Sequence, residues 1–577
     1  MKCPNCGKEI EETTTVCPFC KATISQPSAE QPKEKVEEIK KEPLKEQKPK
    51  KKILKPLLIS LSLLIILAGI GIFCYFKIFQ RPFDIKKVLP KDTIIYSELN
   101  LDALENLNKV ISKIPTADSF LKKSIYKPYG IELATLKNYI KEKIIVAMIE
   151  KNLVISVSLN KPDQIAALVD ILGKQTSFSE QRYKGFKYLK GKELSLVKFG
   201  NFVVISSEEG ITKLIDNKLA KNFQSISSVK SFLELKKELS DYDDKIYVYY
   251  NIKKVLTETL SPEALAFTEK DIEAIGFGIE GKEKGVKIKA ISWADPVKLK
   301  EKDKSFEKIE EFKKVLITSL PKIVALYYES KDLGNSLLDF LARVEEENKM
   351  FALSLLQLKE TLKKQYGIDL EIDLLRKING SFALVALPSE TFNFNLILDL
   401  PSKTEVKNLL EKIKKLSKFE EEETEEGLIL STETLGSTIE RFKVVGIKFK
   451  LNIGTSKDKL ILSLSPDSNA LKKLMRKQEE TLVDNPIYDE IRKELPEEGT
   501  AFGFLHLKGF YSTLESVLGG FIYLGKLGKL PTPKEQAKEV LGIKEKILPY
   551  LDAIKAVGFT NNTTENELIS ESFWLIK

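Results

Sequence analysis

The chain of 577 residues has one histidine, His506, and five cysteines, none of them after residue 74. Histidine-based metal sites and His-mediated general base catalysis therefore need His506 or nothing. It closes a strand-like segment, at a position that other copies of an internal repeat fill with Asn100, Asn251 and Lys331. Any polar residue suits such a strand end, so the sequence predicts no catalytic role for it. Also absent are GxGxxG after a strand and GxxxxGKS, which removes the glycine loops that cradle phosphates; AGIGI falls inside an apolar run. Carboxylates are plentiful, but runs such as EEEETEEG read as solvated loops. The expectation is a protein without catalytic residues.

One long stretch lacks charge altogether. Leu57 to Phe76 (LLISLSLLIILAGIGIFCYF) lies between Lys55 and Lys77, with Leu, Ile and Phe at thirteen of its twenty positions. As a helix it would be about 30 Å long, the hydrocarbon thickness of a bilayer. It reads as one transmembrane helix over 56–78 rather than as a core helix or a cleaved signal peptide, because 54 polar residues precede the helix-forming run and no small-residue cleavage site follows. Eight lysines between Lys40 and Lys55 face five basic residues between Lys77 and Lys91. Positive residues resist translocation. With four cysteines before the run and none after it, the reading is a single-pass inner or plasma membrane protein with a cytoplasmic N-terminus and an extracytoplasmic body.

The four early cysteines form two CxxC pairs, Cys3/Cys6 and Cys17/Cys20, in CPNCGKEIEETTTVCPFCK. Four thiolates at this spacing suit tetrahedral zinc, whereas a redox dithiol needs a βαβ scaffold that 24 residues cannot supply. Residues 1–24 are expected to be a ribbon folded by structural Zn2+. They resemble the short zinc ribbons at the N-termini of many bacterial membrane proteins. Lys2, Lys8 and Lys21 are offset by Glu9, Glu11 and Glu12, so no nucleic acid partner is expected; a protein partner is. Residues 25–55, with ten lysines and six glutamates, compose a disordered tether.

The rest is repetitive. LPKDTIIYSELNLDAL, LPKIVALYYESKDL and LPEEGTAFGFLHLKGF each carry an aromatic residue six positions after the proline: Tyr96, Tyr327 and Phe502. SDYDDKIYVYYNIKKVL is a weaker fourth copy with Tyr247 in that place. The flanks repeat too: YGIEL with YGIDL, whose Glu132 and Asp369 sit where helices begin, and IEAIGFG with IKAVGF. Gly276 to Trp293 and Gly558 to Trp574 are separations that differ by one residue. Two homologous halves, 84–295 and 313–577, joined by a charged connector at 296–312, follow from this pattern. Adjacent hairpins, such as one turning at Gly200-Asn201, imply antiparallel sheet. The fold class is α+β, with helices expected on one face of each sheet. Tyr96, Tyr249, Tyr327 and Tyr328 belong to a core or, less simply, to a cleft between the halves.

With LPKDTIIYSELNLDAL, LVISVSLNKPDQIAALVDILGK and FVVISSEEGITKLID, the body resembles a bacterial family of membrane-tethered extracytoplasmic proteins, domain of unknown function 3352. The resemblance implies a location and a fold, and it carries over no site residue. The functional expectation is a non-enzymatic envelope protein whose duplicated body binds an outside ligand or protein. A transmembrane sensor or regulator is the alternative, and an envelope hydrolase ranks below both.

Overall fold

The computed structural model describes residues 84–114, 137–161, 164–166, 169, 177–200, 202–259, 272–294, 316–331, 333–347, 349–378, 380–389, 393–400, 402–432, 450–456, 459–511, 553–563 and 567–576. The expected ribbon with Cys3, Cys6, Cys17 and Cys20, the tether, the span, the connector and Glu132 lie outside these residues. No helix among the described residues is long and apolar enough to cross a membrane.

The strands of the first half are β1 (Ile95–Asn100), β2 (Ile140–Ile149), β3 (Asn152–Leu159), β4 (Ser179–Tyr183), β5 (Phe186–Lys190), β6 (Ser195–Phe199), β7 (Phe202–Ser206), β8 (Ile246–Tyr250), β9 (Ile272–Lys282) and β10 (Gly285–Ala294). Those of the second are β11 (Leu326–Lys331), β12 (Ser381–Ala386), β13 (Phe394–Asp399), β14 (Glu420–Thr424), β15 (Gly427–Thr432), β16 (Lys450–Ser456), β17 (Lys459–Ser465), β18 (Ala501–His506), β19 (Ile554–Thr563) and β20 (Glu567–Ile576). Their pairings are all antiparallel. The first half runs β4-β5-β6-β7-β3-β2-β1-β8-β9-β10. The second runs β14-β15-β16-β17-β13-β12-β11-β18-β19-β20, the same order strand for strand.

The two runs join through their equivalent last strands. β10 pairs with β20, and Lys289 lies opposite Glu571. Counting from the matched strand starts Gly285 and Glu567, both are the fifth residue, so a local two-fold axis passes between them. Lys287 Nζ and Glu571 Oε2 close the junction at 3.1 Å. The result, among the described residues, is one twenty-stranded sheet. Its ends are β4 (SEQRY) and β14 (EEEET), exposed and charged, a composition that discourages pairing with other chains.

Accompanying the strands are α1 (Leu101–Ile111), α2 (Glu208–Leu219), α3 (Lys230–Glu238), α4 (Ile252–Thr259), α5 (Leu333–Glu347), α6 (Lys349–Tyr366), α7 (Lys403–Lys414), α8 (Asn469–Met475) and α9 (Pro486–Lys493), and the chain is helical again directly after β18, from Leu507. They cover both faces of the sheet, which corrects the one-face expectation. In the first half Tyr96, Ala147, Val154 and Val204 pack with Leu214 of α2 and Leu235 of α3. Their strand neighbours Leu99, Val146, Ile155 and Val203 pack with Leu104 and Leu107 of α1. In the second, α8 and α9 share a cluster with Ala383 and Ile461, while α7 shares the opposite one with Phe382 and Leu460. The physical signal is continuous apolarity: IIVAMI, LVISVSL and FVVIS do not alternate, as strands buried on both sides need not.

Two expectations gain an atomic reason. The hairpin between β6 and β7 turns at Gly200, φ +65°, with Phe199 paired to Phe202. The repeated glycine of IEAIGFG and IKAVGF is where a helix lies on the strand. A Cβ at Gly276 would meet Leu239 and Leu235, and one at Gly558 would meet Ile491 and Leu495.

Candidate functional site

The aromatic column of the repeat is core. Tyr96, Tyr249 and Tyr327 are fully buried. The Tyr96 ring stands edge-on to Phe232 at 5.1 Å, and Tyr488 does the same to Phe502 at 5.8 Å. Tyr328 is half-buried on the opposite face, 6.1 Å from both Phe382 and Phe559. Strand alternation separates it from Tyr327, so these four tyrosines do not line one cleft.

What the structure adds lies two residues further along. Tyr96 donates its hydroxyl hydrogen bond to Glu98 Oε1 at 2.9 Å, and Tyr327 donates likewise to Glu329 Oε2. Both carboxyls are buried, at 6% and 2% exposure. These are equivalent pairs on equivalent strands, and sequence reading passed over them. The signal was present, since Glu98 and Glu329 each stand eight residues after the repeat's proline, Pro90 or Pro321. A carboxyl retained in a buried column is more informative than a tyrosine there, because an unpaired buried charge is costly.

Their surroundings differ. Around Glu98 stand Lys236 at 3.1 Å, Lys86 at 3.7 Å and Lys143 at 3.7 Å. Burial raises the Glu98 carboxyl, but Lys236, Lys86 and the Tyr96 hydroxyl outweigh it and hold it below its ordinary value. Lys236 also lies 4.3 Å over the Tyr247 ring. Glu329 has no lysine or arginine within ion-pair distance among the described residues. Burial pushes it up to about 7; the bond from Tyr327 and the more distant Lys459 oppose that, while Asp399 adds to it.

Register shows what stands in the second half where the first has its three lysines. Lys143 faces Asn100, and in the second half Ser381 faces the equivalent Lys331. Lys86 stands four residues before Pro90; Ile317 stands four before Pro321. Pro90 bridges to Ser225 and Pro321 to Thr481, and eleven residues after each come Lys236 and Arg492. Arg492 keeps the place over the ring, 5.5 Å from Phe502, but its guanidinium is spent on the carbonyls of Leu495, Pro496 and Glu497.

The other predicted positions have structural work. His506 Nδ1 accepts from Gly509 N at 3.2 Å, and burial followed by Lys508 lowers its pKa. Asn100 accepts from Asp102 N and Ala103 N, and Asn251 from Lys254 N. Asn100, Asn251 and His506 are thus helix caps in a shared column. Asp369 begins a helical turn as expected, accepting from Ile372 N and Glu371 N. The backbone bond from Ile372 and then Lys363 keep its carboxyl low. Among the described residues no cluster of three or more His, Cys, Asp or Glu could hold a metal ion.

No curated protein matches the chain. Solved structures titled as crystal forms III, IV and I of TP0453 align at 11%, 12% and 12% identity. They cover 37% of this chain and 80%, 81% and 79% of their own, with a TM-score of 0.25 in each case. The family model described as Protein of unknown function (DUF3352) matches residues 57–570, most of the length, and the chain belongs to that family.

Proposed function

We propose that this chain is a single-pass envelope protein that works by binding rather than by catalysis. In this reading a zinc ribbon, held by Cys3, Cys6, Cys17 and Cys20, faces the cytoplasm and docks to a protein. The span at 56–78 anchors it, and the body at 84–577 engages an extracytoplasmic ligand or protein. The observation that carries this is the charge-free run from Leu57 to Phe76. Its support comes from the family match, which begins at residue 57 and so takes in the run together with the body. Cysteine placement supports the orientation, and the capping role of His506 supports binding over chemistry.

The body is, in this proposal, two homologous halves. Identical strand order, matched Tyr–Glu pairs and helices seated on matched glycines all favour gene duplication over chance. Such a sheet supplies rigid, two-sided scaffolding, and loops on that scaffolding are where a partner would be engaged.

Topology is tested in intact cells with a membrane-impermeant maleimide, using a Lys221→Cys variant, since Lys221 is exposed and no native cysteine follows residue 74. Labelling of K221C before permeabilisation, with the four N-terminal thiols labelled only afterwards and after chelation, is the expected result. Labelling of the N-terminal thiols alone in intact cells would overturn the orientation. Metal analysis of the purified full-length protein should give one zinc per chain, lost in a Cys3→Ser, Cys6→Ser variant.

A further inference from the structure

Helix α9 lies across the second half as α3 lies across the first, and each covers one of the buried carboxyls. Phe232 and Leu235 of α3 belong to the cluster of Tyr96, and Tyr488 and Ile491 of α9 to that of Tyr327. A buried carboxyl with one hydroxyl partner and no cation can be accommodated neutral, but as an anion it draws water toward itself. Its two-residue neighbour Tyr327 can satisfy one oxygen only. The groups facing Glu329 from the packed elements are Tyr327 on its own strand, Asp399 on β13, Lys459 on β17, and Tyr488 beside Arg492 on α9. Lys459 is shared with Ser319 Oγ at 2.9 Å, and Arg492 is committed to backbone carbonyls. None of these replaces the three lysines that gather on Glu98.

We propose that the second half carries a proton-operated latch: Glu329 must hold a proton for α9 to stay fully seated on the sheet, so that raising the pH across neutrality loosens α9 and leaves α3 in place. The first half is the internal control, with the equivalent tyrosine, carboxylate and helix but with Lys86, Lys143 and Lys236 around the carboxyl, Lys236 being shared with Asp243 at 2.5 Å. His506 does not supply such a response, because burial and Lys508 hold it below its ordinary value. A protein anchored at an envelope surface would in this way couple the state of one half of its body to the acidity outside.

Hydrogen exchange of the full-length protein in detergent, corrected for intrinsic exchange rates, tests the latch. If opening of α9 exposes Glu329, linkage predicts that the opening equilibrium of residues 486–493 rises about ten-fold between pH 6 and pH 8. Residues 230–238 should show no comparable rise. Glu329→Gln should abolish the pH response of α9. Ser381→Lys, which restores a cation where the first half has Lys143, should shrink it. A flat response of α9 in the native protein, or an equal rise in α3, would overturn the proposal. So would persistence of the ten-fold rise in E329Q or, should E329Q fail to fold, an undiminished rise in S381K.

Discussion

The two halves of the body are one architecture solved twice, and they part company at a single buried carboxyl. In the first half Lys236, Lys86 and the Tyr96 hydroxyl draw Glu98 below its ordinary range; in the second, burial pushes Glu329 up to about 7, and among the described residues no lysine or arginine lies within ion-pair distance of it. The halves share strand order and helix seats but not the charges around that group. The comparison teaches that backbone topology constrains a buried polar column much less than it constrains the apolar ones. A carboxyl can survive in the same place as an anion or as an acid, provided that its neighbours are revised to suit.

Removing each carboxyl should separate the halves most sharply. Glu98→Ala removes the shared acceptor of Lys236, Lys86 and Lys143, of which Lys236 keeps Asp243 at 2.5 Å, and should cost about 3 kcal/mol in urea unfolding at pH 7. Glu329→Gln at pH 8 should cost far less, or stabilise; equal losses would break the comparison. Next comes pH. Glu329 is raised above an ordinary 4.5 to about 7, so its contribution is fully present below about pH 4.5 and lost as pH rises through 7. That difference corresponds to at most about 3 kcal/mol. Glu98 is lowered, so its contribution is present above the ordinary carboxylate range and lost as pH falls through its depressed value. Stability curves of E98Q and E329Q should therefore lose pH dependence at opposite ends.

A smaller effect tests the shared helix seat. At Gly558 an added Cβ would lie 2.1 Å from Ile491 Cγ2, on a stiff β-branched side chain, whereas at Gly276 the nearest atom is the flexible end of Leu239 at 2.8 Å. Gly558→Ala should lower stability by about 1–3 kcal/mol and Gly276→Ala by less, read from thermal unfolding. The smallest expected change is at the junction. Lys287 and Glu571 are partly exposed, and a double-mutant cycle to alanine should return about 0.5–1 kcal/mol of coupling.

Much of this organisation was legible in the sequence. The repeated blocks locate β1, β8, β11 and β18, and the matched glycines locate β9 and β19; the tryptophans fall near the ends of β10 and β20 but, as ninth and eighth residues of their strands, face opposite sides of the sheet. His506 could be discounted because its column also holds Asn100 and Asn251, and all three prove to be caps. Three things were not legible. Pairing of β10 with β20 joins residues as far apart as Gly285 and Leu575, more than half the body's length, and no local pattern encodes it. Helices on both faces follow from the absence of alternation in β2, β3 and β7, which sequence reading weighs less than its presence. The lysines around Glu98 come from positions 86, 143 and 236, so only the fold makes them one site.

The central claim is that equivalent carboxyls in the two halves hold protons differently, and carboxyl-carbon NMR of protein labelled at glutamate tests it most directly, with E98Q and E329Q assigning the two signals. The account predicts that the Glu329 resonance titrates near pH 7 while the Glu98 resonance stays ionised below the ordinary carboxylate range. Two resonances that titrate together at the ordinary value would contradict it.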